Sequence, residues 1–270
     1  MTDFTYCLNT STIRPTPLLD KVRIAGEAGF SAIEPWNDEI DAYLATGGSI
    51  AELKSALADA GLSVVSMIAV HGWITAEGDD YVRVLADCRR RMDQAAALGS
   101  PFIVASPPQQ VVNLAHAARR YAELLRLGRE AGVKPAMEFL GFVDGIKCVT
   151  SALAIADGSG DPDATVVADV FHIIRGGDTV DDLLTIKGKQ LAIFHINDIP
   201  ATPDPLTQSD ADRVLPGQGI ADLPRAISNL RSIGYRGPLS LELFNPTLWE
   251  ADPLDVVRRG LAAVRTLVEG

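Results

Sequence analysis

The chain has 270 residues, 47% of them hydrophobic, and a formal net charge of −11, enough for one large single-core domain and ill-suited to a nucleic-acid backbone, which favours a basic face. Three widely spaced cysteines (Cys7, Cys88, Cys148) without a Cys-x-x-Cys exclude a disulfide framework or thiolate zinc site and fit a reducing compartment. With no basic and apolar leader and no apolar run long enough to span a bilayer, a cytoplasmic protein without membrane partners is expected.

Residues 4–8 read as a first short strand ending at Asn9, and residues 17–28 carry helical periodicity closed by Gly29. A second strand over 30–33 ends on Glu34. Ser49 with Glu52 three residues on has the pattern of a capping box for a helix through Ala60. A third strand over 62–70 reaches His71; a helix over 79–98 and a fourth strand over 101–105 follow, then a helix over 111–131. The second half repeats the rhythm, with strands at 133–138, 165–169, 191–195 and 239–242. Helices are expected over 150–157, 179–186, 221–233 and 253–268, and a long polar loop over 197–219. Eight alternations of strand and helix in a chain of this length predict an α/β fold, a single-domain (β/α)8 barrel spanning 1–270. An open doubly wound sheet is the alternative, but no Gly-x-Gly-x-x-Gly follows the first strand.

Four apolar runs of the second half stop on a polar residue: Glu138, Asp169, His195 and Glu242. Ionised groups at the ends of buried strands are costly unless paired or metal-bound. In a barrel these positions lie at the C-terminal mouth where active sites form, on four adjacent strands. Three carboxylates at close range need a compensating cation. Three oxygens and an imidazole suit one divalent metal ion, Mn²⁺, Mg²⁺ or Co²⁺, with Zn²⁺ also compatible.

The local motifs Glu138-Phe-Leu-Gly, Asp169-Val-Phe-His, His195-Ile-Asn-Asp, Asp212-Arg-Val-Leu-Pro-Gly-Gln-Gly and Ser240-Leu-Glu-Leu-Phe-Asn-Pro resemble the xylose-isomerase-like barrel superfamily of sugar isomerases and epimerases. Within it they are similar to the branch of 2-keto-myo-inositol (inosose) isomerases. The resemblance covers nearly the whole chain, most specifically from Lys134 onward. It implies a metal held by Glu138, Asp169, His195 and Glu242 that chelates two neighbouring oxygens of a keto-polyol. It also implies that Glu138 and Glu242 flank the reacting carbons, passing a proton through a metal-stabilised cis-enediolate; which of them is the base stays open. His172, in Asp-x-x-His, resembles the family's partner for a substrate hydroxyl.

Arg213 offers a fixed fork to substrate oxygens, or an ion pair with Asp210 or Asp212 that shapes its loop. Glu34 and His71, ending the second and third strands, face the same mouth as further substrate contacts. Trp36, Trp73 and Trp249 lie just past strand ends and can wall a sugar pocket. No P-loop or phosphate-binding glycine cluster points to a phosphorylated sugar. The competing readings are an inosose or 3-dehydroshikimate dehydratase on the same site, an abasic-site endonuclease, disfavoured by four histidines and the acidic charge, and a barrel that binds sugar without turning it over. A homo-oligomer is compatible with all of these.

Overall fold

The computed structural model describes residues 3–270. Its elements in chain order are β1 (Thr5–Asn9), α1 (Leu18–Ala28), β2 (Ala32–Glu34), α2 (Asn37–Ala45), α3 (Ile50–Asp59), β3 (Ser63–Val64), β4 (Met67–Val70), α4 (Gly78–Ala97) and β5 (Phe102–Ala105). Then come α5 (Leu114–Ala131), β6 (Lys134–Met137), α6 (Val149–Gly158), β7 (Thr165–Asp169), α7 (Val170–Arg175), β8 (Leu191–Ile196), α8 (Leu223–Ser232), β9 (Pro238–Leu241), α9 (Pro246–Trp249) and α10 (Pro253–Glu269). The strands run in the order β3-β2-β1-β9-β8-β7-β6-β5-β4, all pairings parallel. This is the expected single-domain (β/α)8 barrel, with one strand position divided in two.

The division falls in the third expected strand. β3 pairs with β2 and β4 pairs with β5. Between them the chain hands over from one neighbour to the other. Val65 N–H reaches Ile33 O at 3.4 Å, Ile68 N–H reaches Pro35 O at 3.1 Å, and Trp36 bridges Ile68 in parallel. The run of residues 62–70, apolar but for Ser63 and Ser66, hides this break, because apolar residues continue on both sides of it with no glycine or proline between.

The helices end where expected. Gly29, at φ 96° in the left-handed region, closes α1 with its N–H on Ala25 O and Gly26 O. At α3 only half of the anticipated capping box forms: Ser49 Oγ accepts the Glu52 N–H at 3.1 Å, while the Glu52 carboxylate takes the Tyr43 hydroxyl instead. Three short helices, α2, α7 and α9, were not anticipated, and residues 179–186 form a 3₁₀ helix, Val180–Thr185.

Two apolar layers flank the strands. The larger lies between strands and helices. The smaller fills the barrel and contains Ile68, Val104, Ala136, Val167 and Ile193. Successive strand residues point to opposite faces. The residues two positions after Val104, Ala136, Val167 and Ile193 therefore also point inward, one pleat nearer the mouth. They are Ser106, Glu138, Asp169 and His195. The same step leads from Cys7 to Asn9, from Ala32 to Glu34 and from Ser240 to Glu242.

Candidate active site

Strand register brings these side chains together. Asp169 is paired with His195, His195 with Ser240, and Asn9 with Glu34. Asp169, His195 and Glu242, all buried, offer ligand atoms within 4.8 Å of one another. His195 Nδ1 stands 3.2 Å from Glu242 Oε2 and 3.7 Å from Asp169 Oδ2, and Nε2 stands 3.0 Å from Glu34 Oε2. Yet neither ring nitrogen makes a directed hydrogen bond, although both are buried. An imidazole without a directed partner, facing two carboxylate oxygens, is the donor set of a divalent-metal site, and these residues fit one.

Glu138 stands apart from that close group of three. It follows β6 and takes one side-chain hydrogen bond, from Ser106 Oγ to Oε2 at 3.0 Å. It lines, with Glu242, a cavity of about 240 Å³ at the barrel mouth, whose wall also includes Trp36, His71, His172, Arg213 and Phe244. The expected four-residue set therefore divides into three converging groups and a fourth carboxylate on the wall.

Arg213 penetrates to the centre of this arrangement. Its Nη1 donates to Asp169 Oδ2 at 2.7 Å and Glu242 Oε2 at 2.8 Å; its Nη2 donates to Asp210 Oδ1 at 2.5 Å and lies 3.1 Å from His172 Nε2. The guanidinium carbon lies 4.7 Å from the Phe171 ring centre and 5.1 Å from that of Phe244. The expected ion pair with Asp210 forms, and Arg213 also lines the cavity and reaches two further carboxylates. Its loop is fastened by Asn245 Nδ2, which donates to Arg213 O at 2.9 Å.

Of the other expected contacts, His71 and His172 line the cavity. Glu34 is fully buried and does not appear in the wall; Asn9 Nδ2 and Ser240 Oγ donate to its Oε2 at 2.9 and 2.8 Å. Trp36 walls the cavity, whereas Trp73 is buried against Tyr121 and Trp249 Nε1 ties down Ser11 O at 2.9 Å.

The strand-end rule also reaches residues that sequence reasoning passed over. Asn9 ends β1 and donates to both Glu34 Oε2 and Glu242 Oε1 at 2.9 Å. Ser106 follows β5 and fixes Glu138. Asn197, just beyond β8, donates at 3.2 Å to both oxygens of Asp169, which also caps α7 by accepting the His172 N–H at 3.1 Å. Neutral strand-end residues attract less notice than charged ones, although the pleat treats them alike.

Burial and charge set the protonation states. Burial pushes the Glu138 carboxyl up to about 8, with Glu242 and Asp169 adding to the rise against the pull of His195. Burial also works upward on Asp169, but Arg213, His172 and His195 overcome it and hold this carboxyl well below the usual range. Burial and the nearby Arg213 cation bring His172 down to about 4, against the pull of Asp169, so it is neutral at pH 7. His195 moves the other way: burial opposes its charge, and Glu242 and Glu34 raise it well above the usual histidine value.

Comparison with known proteins finds likeness over most of the chain. The chain is 30% identical over 193 residues to an inosose isomerase of Bacillus licheniformis, covering 69% of this chain and 68% of that protein. It is 24% identical over 271 residues to one of Bacillus velezensis, covering 97% of this chain and 96% of the other. The IolI protein, solved with a bound zinc atom, superposes with a TM-score of 0.91 at 23% identity over 98% of each chain. The family model described as xylose isomerase-like TIM barrel matches residues 22–267. On that match the chain belongs to the xylose isomerase-like TIM barrel family.

Proposed function

We propose that the chain is a divalent-metal-dependent isomerase or epimerase of an uncharged keto-polyol, with an inosose as the leading substrate. The observation that carries this reading is the charge pattern of the cavity wall. Its single arginine, Arg213, is already committed to Asp169, Asp210 and Glu242, and its two histidines, His71 and His172, are both held below the usual histidine value, burial being the larger cause in each. A phosphate or carboxylate on the substrate would meet Glu138, Glu242 and Asp210 along a wall whose lining arginine is already paired. A polyol meets instead a wall of carboxylates and imidazoles that accept and donate hydrogen bonds, beside Trp36 and Phe244. This favours the inosose reading over a dehydratase of a carboxylated substrate.

Asp169, His195 and Glu242 would hold the cation, with Glu138 a further carboxylate in the wall of the cavity that Glu242 also lines. When bound, a divalent cation polarises the substrate carbonyl and acidifies the neighbouring C–H. Of the two glutamates, Glu242 has both oxygens engaged, one by Asn9 and one by Arg213, whereas Glu138 takes only the Ser106 bond. Glu138 is therefore assigned the removal of the proton beside the carbonyl; in an isomerisation it returns that proton to the former carbonyl carbon on the same face while the neighbouring hydroxyl proton passes to the former carbonyl oxygen, whereas epimerisation needs a second acid on the other face. His172, whose Nδ1 accepts the Gly141 N–H at 3.2 Å and whose Nε2 lies 3.1 Å from Arg213 Nη2, completes the wall beside the position assigned to the substrate.

The test is incubation of purified protein with Mn²⁺, Co²⁺ or Zn²⁺ and each inosose in deuterated water, followed by proton NMR. Deuterium at one exchanged carbon of a ketone isomer or epimer is expected. Glu138→Gln should slow that exchange by about 10²–10⁴-fold. An unsaturated, ultraviolet-absorbing product would mark a dehydratase instead. No exchange with any inosose or ketose, or full exchange in Glu138→Gln, sinks the assignment.

A further inference from the structure

Glu34 is a fully buried carboxylate, outside the cavity wall, that the proton chemistry leaves unused. Its surroundings are built with care. Asn9 Oδ1 accepts two donors, the Ser11 N–H at 3.0 Å and Trp36 Nε1–H at 3.0 Å. Only the oxygen of an amide can do this, which fixes the orientation of the side chain. The Asn9 amide nitrogen must then face the two carboxylates, donating to Glu34 Oε2 and Glu242 Oε1 at 2.9 Å each. Ser240 Oγ adds a second donor to Glu34 Oε2 at 2.8 Å. Two donors concentrate negative charge on one oxygen, and that oxygen lies 3.0 Å from His195 Nε2. The other ring nitrogen, Nδ1, is the one that faces Asp169 Oδ2 and Glu242 Oε2.

We infer that Glu34 is a positioning residue: its fixed charge beside Nε2 keeps a proton on that nitrogen, so that His195 presents the Nδ1 lone pair to the cation. Anions placed behind ligating histidines select the ring tautomer and raise its basicity. Here the contact acts through charge and proximity, since the ring N–H is not aligned for a directed hydrogen bond. Asn9 ties the same carboxylate to Glu242, so one amide holds an expected ligand and the group behind another. The inference rests on the metal reading of the site.

Zinc-loaded, full-length protein labelled with ¹⁵N-histidine tests it, together with zinc affinity from competition with a chromophoric chelator. In the parent protein zinc is expected on Nδ1 of His195, with the proton on Nε2. Glu34→Gln should weaken zinc binding by about 10–100-fold and disturb the Nε2–H resonance. Ser240→Ala, which removes one donor and keeps the carboxylate, should weaken it several-fold; it also covers the case in which Glu34→Gln fails to fold. Zinc on Nε2, or unchanged affinity in Ser240→Ala, overturns the role of Glu34 while the metal reading stands. A parent protein that binds no divalent cation overturns both.

Discussion

Glu138 carries the site's most consequential conflict between burial and charge. Its carboxyl is raised to about 8 by burial, against about 4.3 for an exposed glutamate. The folded chain thus binds this proton more tightly than the unfolded chain. The stability that follows is fully present below about pH 4.3 and is lost as pH rises toward 8. In cation-free protein Glu138→Gln removes this loss. The variant should equal or exceed the parent in unfolding free energy from denaturant titration at pH 8–9, by up to a few kcal/mol, with the advantage shrinking toward pH 5. Parallel stability profiles from pH 5 to 9 would contradict it. Glu138 was readable from sequence because it ends an apolar run. Its separation from the other three was not, because that depends on which wall of the mouth each strand faces.

At the scale of elements, the long connection after β8 is the clearest case of a loop held by one side chain. Asp198 Oδ2 accepts the N–H groups of Gly217 and Gly219 at 2.9 Å, and Oδ1 accepts those of Ile199 at 2.8 Å and Ala221 at 3.0 Å. A Cβ at position 219 would lie 2.3 Å from Asp198 Oδ1, so the close approach of backbone to carboxylate requires glycine there. This anchorage closes the loop that delivers Arg213 to the cavity. Asp198→Ala leaves four backbone N–H groups, one buried and three partly buried, without their acceptor, and a loss of about 3 kcal/mol is expected. Faster amide exchange should be confined to residues 199–221, and KM should rise more than kcat falls. Exchange that quickens evenly over the barrel would contradict a local anchor.

The same scale shows where sequence patterns run out. Helices with one buried face, such as α1, α4 and α5, left a readable 3.6-residue period. α7 did not: Val170, Phe171, His172 and Ile173 are all buried, so no polar face marks a helix, and its cap, Asp169, reads equally well as the end of a strand. β3 and β4 merged because apolar residues continue on both sides of the break between them, with no glycine or proline to mark it. The mouth could be found from strand ends alone, because a pleat places every second residue inward. Arg213 could be singled out but not placed, because its depth depends on the path of an irregular loop.

For the whole molecule, the barrel gathers Glu34, Glu138, Asp169 and Glu242 at one end of a chain already at −11, with Arg213 and His195 as the buried positive counterparts there. Confining that much negative charge costs stability, and a divalent cation that binds only the folded barrel offsets it. Linkage gives the size: at free metal 100-fold above its Kd, the folded state gains about 2.7 kcal/mol. In a barrel of this length that corresponds to a rise in Tm of about 5–10 °C. Mn²⁺, Co²⁺ or Zn²⁺ should produce this shift and a chelator should reverse it. His195→Gln, which removes the nitrogen ligand yet keeps Asp169 and Glu242 paired with Arg213, should nearly abolish it. An equal shift in that variant would place the cation elsewhere, since acidic surface groups also bind metals weakly. Only a shift that requires His195 ties the stability of the whole barrel to the end of β8, where its sequence places an imidazole between carboxylates.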